Sequence, residues 1–269
     1  VGLSRWSALW WPPSDKFDLV TSQDPFETGF IGWRLARRLD AKLELQIHTD
    51  IGSPYFRRHA LLNQIRYWLA RFLMPRADHV RVVSQRIKNF LVEEWHLSAD
   101  KIEIRPIAVD SHIIKNAFTT LNFDLHQRYP QFQKIILMVC RLEREKNIAL
   151  ALQAFKILKQ SREDVGLVII GTGRQEHKLK QLAHKLGIYE SVIFAGWQAT
   201  PLPYYHSANL FLQTSDYEGY GMALVEAAAA GCSIVSTNVG VATEYGARLV
   251  DHNAESVAIG ITKSLLDHV

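Results

Sequence analysis

Residues 165–194 read VGLVIIGTGRQEHKLKQLAHKLGIYESVIF. The first six are apolar throughout, which is typical of a strand buried on both faces of a parallel sheet. A helical pattern follows over 174–186, and a second short strand is predicted over 191–194. Strand, helix and strand in this order form a βαβ unit. The sequence therefore predicts an α/β protein with parallel sheets.

The same alternation extends towards both ends of the chain and divides into two units. An irregular, polar and aromatic segment interrupts it, which predicts a unit over 1–115, a linker over 116–130 and a unit over 131–269. We expect the first unit to be incomplete, because it has fewer strands than the about five or six of a doubly wound sheet. The further predicted strands are 17–22, 43–48, 79–83, 101–104, 134–140, 209–213 and 233–236, and the further predicted helices are 27–39, 57–74, 85–95, 147–160, 202–207, 221–230 and 254–267.

Composition excludes several classes of protein. The 269 residues are 48% hydrophobic and 22% charged, close to globular averages, which excludes a disordered or fibrous chain. No apolar run approaches the ~20 residues of a membrane-spanning helix. The two cysteines, Cys140 and Cys232, lie inside apolar stretches and form no disulfide framework, so we expect a reducing, cytoplasmic setting.

Basic residues are concentrated in one part of the chain. The net charge is +4, but residues 34–88 alone carry 12 Lys and Arg against 4 Asp and Glu. Such an excess indicates an anionic partner, which could be nucleic acid, an acidic membrane surface or a phosphorylated substrate. A solvated basic face is the other interpretation, and the charges alone do not separate them.

The predicted helix 57–74 lies within this basic region and has two interpretations. It could lie on an anionic membrane, or it could pack on its own sheet with solvated arginines. The apolar stripe is no wider than a core-facing helix needs, which favours packing. The stripe consists of Leu61, Ile65, Leu69, Phe72 and Leu73, and the other side carries Arg57, Arg58, Arg66 and Arg71 close to Tyr67 and Trp68.

Two carboxylates eight positions apart enclose the start of the predicted helix 221–230. Glu218 precedes the helix, Glu226 lies within it, and Gly219 and Gly221 stand between them. Amides at a helix N-terminus bind anions, and glycines let a phosphate approach closely. Carboxylates also bind hydroxyls, so the pair could bracket a sugar nucleotide. The alternative is an ordinary strand–loop–helix turn with a capping glutamate.

Cations and glycines follow two other predicted strands. Arg141 and Lys146 come after strand 134–140, at the edge where parallel sheets bind ligands, and could neutralise a diphosphate. A solvated charged loop is the alternative. Gly171 and Gly173 follow strand 165–170 in a turn that suits phosphate. They do not complete a dinucleotide fingerprint, because Glu176 occupies the last glycine position.

Together these motifs resemble the retaining glycosyltransferases of family 4, also called group 1, whose GT-B architecture has two facing Rossmann-like domains. The resemblance covers about residues 17–265. It implies transfer of a sugar from a nucleotide-sugar donor to a glycan or lipid-linked acceptor, with retention of the anomeric configuration, as in polysaccharide biosynthesis. It makes the first unit the acceptor side and the second the nucleotide-sugar side. The implied catalytic residues are His48, Arg141, Lys146 and Glu218, and the implied donor-binding residues are Gly171, Gly173, Trp197, Gly219, Tyr220, Gly221, Leu224 and Glu226.

Each role carries over by position. Arg141 and Lys146 would hold the donor diphosphate, Glu226 the ribose hydroxyls, Glu218 the transferred sugar, and Trp197 would lie near the base. His48 would face the sugar, although a strand-end histidine also occurs for structural reasons. Gly219 to Gly221 would present backbone N–H groups. Asp24 and Asp50 are weaker acceptor-side candidates, because turn or capping roles explain them equally well.

The sequence also predicts that the reaction needs no metal ion and no cofactor. It holds no Asp-x-Asp and no cluster with metal-ligand spacing, so we expect metal-independent donor binding and no cofactor. We expect no nucleic-acid partner. Two other functions remain open, namely a non-catalytic sugar-nucleotide-binding fragment and a sugar-nucleotide epimerase on the same architecture. A phosphorylase would need a cofactor lysine, for which there is no signal.

Overall fold

The computed structural model describes residues 16–109 and 123–267. The chain divides into two compact units, Val1–Ile107 and Ala108–Val269. Each contains a parallel sheet with connecting helices, which confirms the predicted α/β class. The predicted linker 116–130 lies partly outside the described residues, so its bounds stay a prediction.

The described part of the first unit is a four-stranded parallel sheet in the order β1-β2-β3-β4. Its elements are β1 (Leu19–Ser22), α1 (Glu27–Leu39), β2 (Lys42–Ile47), α2 (Pro54–His59), α3 (Leu61–Leu73), β3 (His79–Val82), α4 (Gln85–Glu93) and β4 (Ile102–Ile104), with 3₁₀ turns at Met74–Arg76 and Ala99–Lys101. Right-handed crossovers between successive neighbouring strands place the connecting helices on one face of the sheet.

The opposite face of this sheet is polar. Thr21 pairs in register with Glu44, and Gln46 pairs with Arg81. The Gln46 amide donates to Thr21 Oγ1 at 3.0 Å and to Glu44 Oε1 at 3.2 Å, and Arg81 Nη1 donates to Gln46 Oε1 at 3.4 Å. The strands therefore alternate between apolar and polar positions along the chain.

The predicted helix 57–74 is wrong in its bounds, because the structure has two helices there. Ala60 is extended, with φ −154° and ψ 148°, and separates α2 from α3. Ser53 caps α2 by accepting from the Tyr55 amide. At the other end, the Asn63 side chain donates to the Phe56 carbonyl at 2.9 Å, which satisfies a carbonyl that the next helical turn would have used.

The predicted core face of this region is also wrong. Leu61, Ile65 and Phe72 are exposed, and of the predicted stripe only Leu73 is buried. The side of α3 that packs against the unit carries Tyr67 and Ala70 in addition to Leu73. The spacing of apolar residues fits two sides of this helix, and periodicity alone does not select the buried one.

The second unit has a six-stranded parallel sheet in the order β10-β9-β8-β5-β6-β7. All six residues of β6 are buried, as the apolar run predicts. Its elements are α5 (Leu125–Arg128), β5 (Lys134–Val139), α6 (Ile148–Leu158), β6 (Val165–Ile170), α7 (Glu176–Lys185), β7 (Val192–Gly196), α8 (Leu202–Ser207), β8 (Leu210–Gln213), α9 (Met222–Ala229), β9 (Ser233–Thr237), β10 (Arg248–Val250) and α10 (Ala254–Leu266), with 3₁₀ turns at Arg144–Lys146 and Tyr189–Ser191.

Sequence patterning missed β10 and α5. Both are only three or four residues long, too short to show a period. None of the helices in the described ranges is both long and apolar enough to cross a bilayer.

Candidate functional site

The strand order of the second sheet creates a crevice at one place. From β5 the chain runs through β6 to β7, and β8 then returns to the other side of β5. Beside such a reversal the following loops diverge, and ligands bind outside the carboxyl ends of the strands. The loop with Arg141 and Lys146 follows β5, and the loop with Glu218 follows β8. The two most charged motifs of the sequence therefore meet at this switch point.

A buried ion pair joins the two loops. Lys146 Nζ lies 2.7 Å from both Glu218 Oε1 and Glu218 Oε2, and the side chains are only 14% and 11% exposed. Ser215 Oγ donates to Glu218 Oε1 at 2.7 Å. The pair holds an ammonium and a carboxylate in a partly dehydrated place, where each has a strong electrostatic effect on an incoming ligand. Ser215 was not singled out from the sequence.

Hydrogen bonds fix the backbone around this pair. Asn147 has left-handed backbone angles, with φ 45° and ψ 45°, and its side chain donates to Asp216 Oδ1 at 2.8 Å. The Asp216 amide donates to the Glu145 carbonyl at 2.8 Å, and Thr214 Oγ1 lies 3.1 Å from the Asn147 carbonyl. The β5 and β8 loops are thus one connected structure, which sets the separation between the lysine and the carboxylate.

Arg141 occupies a different environment from Lys146. Its side chain is 72% exposed, and Nη2 lies 3.0 Å from Glu145 Oε1. Arg144, which stands between the motif residues, is also exposed. Of the two residues predicted to bind the diphosphate, Lys146 therefore lies inside the crevice and Arg141 lies at its solvent side. Exposed ion pairs are worth little, so Arg141 can leave Glu145 for a phosphate at small cost.

The Gly171–Gly173 turn packs directly on the β5 loop. A Cβ added at Gly171 would overlap the Cys140 carbonyl oxygen, and one added at Gly173 would overlap the Leu142 carbonyl. Gly171 also has a φ of +125°. The Leu142 amide donates to the Thr172 carbonyl at 2.9 Å, which ties the loops together. These glycines are required by close packing, whether or not a ligand binds there.

Helix α9 begins between Glu218 and Glu226, as predicted from the sequence. Gly221 is the N-cap with a φ of +104°, and no side chain caps the helix. Gly219 is half-buried, and the Tyr220 side chain is buried with its hydroxyl 3.5 Å from that of Tyr245. Leu224 is fully buried, and its amide donates to the Gly221 carbonyl at 3.0 Å. The donor-binding roles of these residues stay predictions.

Glu226 has a partner that the sequence did not reveal. The Tyr205 hydroxyl donates to Glu226 Oε2 at 2.9 Å, and Tyr205 itself is fully buried. Burial raises the pKa of the Glu226 carboxyl, and the hydrogen bond from Tyr205 acts in the opposite direction. Burial also raises the pKa of Tyr205. The tyrosine therefore orients one of the two carboxylate oxygens of Glu226.

Trp197 and the two cysteines lie directly beside strand ends of the second sheet. Trp197 directly follows β7 and is exposed, and the preceding Gly196 accepts at 2.8 Å from the Gly171 amide. Cys140 and Cys232 are free thiols, and burial raises the pKa of each to about 12. Such thiols are not nucleophiles at neutral pH.

His48 belongs to the first unit, at the end of β2. Its Nε2 lies 3.3 Å from Gln46 Oε1, which is also the acceptor for Arg81. Burial lowers the pKa of His48, and the positive charge of Arg81 lowers it further. The ring is thus biased towards its neutral form, in which one nitrogen can accept a proton or hydrogen bond.

The two weaker acceptor-side candidates have structural partners. Asp24 accepts from the Phe26 amide at 2.8 Å and from Thr28 Oγ1 at 2.6 Å, at the start of α1. Burial raises the pKa of Asp50, while Arg86 and the Gly52 and Ser53 amides act against that rise. Within the described residues, no three or more His, Cys, Asp or Glu side chains cluster in a way that could hold a metal ion.

Solved structures share this fold. The chain superposes with a TM-score of 0.78 on Anabaena HepE in complex with UDP, at 19% identity, covering 98% of this chain and 71% of the other. It superposes with a TM-score of 0.75 on the sucrose-phosphate synthase of Thermosynechococcus elongatus, at 22% identity, covering 93% and 65%. Two Rossmann-like units with a charged crevice at a switch point define a protein of the GT-B class.

Sequence comparisons identify the family. "Glycosyl transferases group 1" matches residues 125–267, and "Glycosyltransferase Family 4" matches residues 3–112. The chain belongs to the group 1 glycosyl transferases. It is 29% identical to the N-acetylgalactosamine-N,N'-diacetylbacillosaminyl-diphospho-undecaprenol 4-alpha-N-acetylgalactosaminyltransferase of Campylobacter jejuni, covering 76% of this chain and 53% of that protein. It is 26% identical to the alpha-monoglucosyldiacylglycerol synthase of Streptococcus pneumoniae, covering 82% and 52%. The chain thus spans about half the length of these relatives.

Proposed function

We propose that this chain carries the donor site of a retaining glycosyltransferase that moves a sugar, of the hexose type, from a nucleotide-sugar to an acceptor hydroxyl. The observation that carries the proposal is the Lys146–Glu218 pair at the switch point of the second sheet. A donor presents an anionic diphosphate and a hydroxyl-bearing sugar next to each other. In the pair, the Lys146 ammonium would face the diphosphate, and the adjacent Glu218 carboxylate would face a sugar hydroxyl.

The bonds made and broken define what the site must do. The bond between the sugar C1 and the diphosphate oxygen breaks, and both electrons leave with the diphosphate. The acceptor oxygen then bonds to C1. Lys146 and Arg141 would stabilise the charge that develops on the leaving group, which is the largest electrostatic change of the reaction. For retention, the acceptor attacks from the leaving-group side, where a diphosphate oxygen is the nearest base for its proton.

Each remaining residue contacts a different part of the donor in this proposal. Glu226, held by Tyr205, binds the ribose hydroxyls. Glu218 binds a hydroxyl of the transferred sugar, and the amides from Gly219 to Gly221 face sugar and phosphate. Trp197 lies beside the base. His48 of the first unit faces the sugar as a neutral imidazole. We propose that no metal and no cofactor take part, because cations of the chain neutralise the phosphates.

The acceptor in this proposal is a glycan or a lipid-linked saccharide. Two relatives support this choice, since their names describe transfer to a diphospho-undecaprenol saccharide and synthesis of a glucosyldiacylglycerol. Both acceptors are held at a membrane, so we propose that the reaction takes place at its cytoplasmic side. No nucleic acid is involved.

The decisive experiment separates the two carboxylates by calorimetric titration with UDP and with UDP-sugars. Glu226→Ala should weaken UDP and UDP-sugar alike, by roughly tenfold or more, because both ligands carry the ribose. Glu218→Gln should leave UDP affinity unchanged or raise it, because Lys146 is released from its carboxylate, yet it should abolish transfer by the full-length protein. Arg144→Ala is the matched control and should change neither. Equal loss of UDP affinity in both glutamate variants would contradict the donor-bracketing arrangement.

Two further measurements test the finer statements. The anomeric configuration of the product, read by NMR, decides whether transfer is retaining. Titration in EDTA decides whether donor binding needs a metal, and loss of binding there would refute the metal-free proposal. UDP-sugar binding without any turnover by the full-length protein would favour a non-catalytic binding module, and interconversion of free UDP-sugars would favour an epimerase.

A further inference from the structure

An apolar row runs along the exposed side of α3. Leu61, Ile65, Trp68 and Phe72 are 80%, 64%, 65% and 41% exposed. Their spacing of four, three and four residues places them on one side of the helix. Leu62 is exposed beside them. We call these five residues the α3 stripe. Large apolar side chains scattered singly need no explanation, but a contiguous row of this size marks an interaction surface.

Packing of the unit relies mainly on the other side of the helix. The buried side consists of Tyr67, Ala70 and Leu73, and the Tyr67 hydroxyl accepts from Trp95 Nε1 at 3.2 Å. The helix is therefore already anchored through its other side. Apart from the edge of Phe72, which meets Trp33, the side chains of the α3 stripe remain largely exposed, so this surface is open to a partner.

Exposed arginines lie on α2, on α3 and in the turn that follows α3. Arg57, Arg58, Arg71 and Arg76 are all exposed. The Arg71 guanidinium lies 6.0 Å from the Trp68 ring, and that of Arg76 lies 3.7 Å from the Phe72 ring. Arg66 is different, because it forms an ion pair with Glu27 at 2.9 Å. The arrangement is an apolar centre with cations at its edge.

The aromatic part of the surface continues onto α1. The Trp33 ring packs edge-on against Phe72 at 5.6 Å, and the Arg37 guanidinium lies 5.5 Å from the Trp33 ring. The same combination of an aromatic ring and a neighbouring arginine thus repeats on a second helix. The surface is broader than one helix, as a planar partner requires.

We infer that the α3 stripe docks onto the surface of an anionic lipid bilayer. Apolar side chains of an interfacial helix enter the boundary between headgroups and acyl chains, and arginines reach lipid phosphates while their stems stay apolar. Indole rings favour the same depth. Each arginine near an anionic surface strengthens the attraction to it. The α3 stripe supplies the apolar and aromatic side chains, and the nearby arginines supply the positive charges.

Charge also argues against a second copy of the chain as the occupant. A two-fold interface brings the same patch of each protomer together. Docking two α3 stripes would bring together two patches that both carry Arg57, Arg58, Arg71 and Arg76, and like charges across an interface are costly. A bilayer containing anionic lipid has the opposite charge across its whole plane.

The test measures co-sedimentation of the chain with vesicles, without any donor or acceptor. One set of vesicles contains phosphatidylglycerol in phosphatidylcholine, and the other contains phosphatidylcholine alone. We compare Ile65→Ser/Trp68→Ser, which removes the apolar centre, and Arg71→Glu, which reverses one charge. The matched controls are Ile259→Ser, which alters an apolar residue 55% exposed on α10, and Lys178→Glu, which reverses an exposed charge on α7.

The chain should bind the phosphatidylglycerol vesicles more strongly, and salt should weaken that binding. The double variant should bind at least about tenfold more weakly, Arg71→Glu should bind several-fold more weakly, and both controls should bind as the unaltered chain does. Every altered side chain is exposed, so thermal melts should agree among the variants.

Three results would overturn the inference. Absence of binding to either vesicle type excludes a bilayer as the partner. Equal, salt-insensitive binding to both vesicle types excludes an anionic surface. A dimer in light scattering that Ile65→Ser/Trp68→Ser dissociates assigns the stripe to a second copy. Since no measurement involves transfer, failure of the proposed reaction leaves this inference standing, and the reverse also holds.

Discussion

Lys146 Nζ lies 2.7 Å from both carboxylate oxygens of Glu218, although the two residues are 72 positions apart in the chain. The residue predicted to bind phosphate and the residue predicted to bind sugar thus form an ion pair with each other. In the proposed reaction, the donor diphosphate would compete with the Glu218 carboxylate for the Lys146 ammonium.

This ion pair predicts the outcome of a double-mutant cycle on the free energy of unfolding. Lys146→Met should lower the free energy of unfolding by about 3 kcal/mol, because it leaves the Glu218 carboxylate buried without a counter-charge. Adding Glu218→Gln to that variant should recover most of the loss. Denaturant unfolding of the single and double variants measures the coupling.

Arg141→Met is the control for that cycle. Its ion pair with Glu145 is largely exposed, so its loss should cost less than about 1 kcal/mol. Simple additivity of Lys146→Met and Glu218→Gln would show that the two side chains do not interact in solution.

A second prediction concerns Tyr205→Phe. Loss of the hydroxyl removes a hydrogen bond that orients Glu226, which should weaken UDP binding about fivefold at neutral pH. The same bond lowers the pKa of Glu226, so the variant raises that pKa further above its ordinary value. The protonated carboxyl is the weaker acceptor for ribose hydroxyls. The affinity ratio of unaltered chain to variant should therefore grow as the pH falls.

Comparing the UDP affinities of the two chains as a ratio removes effects that come from UDP itself. Phosphate groups of UDP also titrate in mildly acidic solution, but their contribution is the same for both chains and cancels. Calorimetric titrations at several pH values give the ratio directly. A ratio that stays constant from neutral to acidic pH would mean that Tyr205 acts on Glu226 by packing alone.

The third prediction is the charge state of His48. Burial and the positive charge of Arg81 lower its pKa, so the folded protein binds fewer protons at this site than the unfolded chain. His48 therefore destabilises the fold as the pH falls through its ordinary value of about 6.5. Arg81→Gln should raise the pKa, and Arg81→Lys, which keeps the charge, should leave it low. NMR titration of the ring protons tests both; an equal rise in the two variants would contradict the charge effect.

The fourth prediction compares two glycines. Gly171 and Gly187 both have a positive φ, but only at Gly171 would a Cβ meet neighbouring atoms. Gly187→Ala should cost about 1–2 kcal/mol of backbone strain. Gly171→Ala should cost clearly more, because the Cys140 carbonyl must also move. Thermal unfolding of the two variants measures the difference, and equal losses would mean that the β5 loop yields easily.

Much of the fold was predictable because it rests on local patterns. The bounds of α1 match the sequence prediction, and the fully apolar β6 was recognisable by its composition. The motifs at the ends of β5 and β8 also indicated their loops correctly. Parallel topology then brings loops after neighbouring strands to one edge, so the meeting of Lys146 with Glu218 follows from strand order.

The remaining features depend on tertiary contacts that leave no period in the sequence. Tyr205 precedes Glu226 by 21 residues and reaches it only because α8 and α9 pack together. The break at Ala60 depends on an Asn63 side chain that bonds a carbonyl of the previous helix. The choice of the buried side of α3 was wrong, because two apolar sides compete and only the packed unit decides between them.

The polar row formed by Thr21, Glu44, Gln46 and Arg81 has a consequence for the dynamics of the chain. The side chains of this row add no apolar packing, so the strands that carry them are held by fewer apolar contacts. The buried strands β5 and β6 have apolar cover on both faces and exchange their amide hydrogens only on larger openings. Deuterium should therefore enter β1 to β4 long before β5 and β6. The unit that carries His48 should therefore open locally more readily than the unit that carries Lys146 and Glu218.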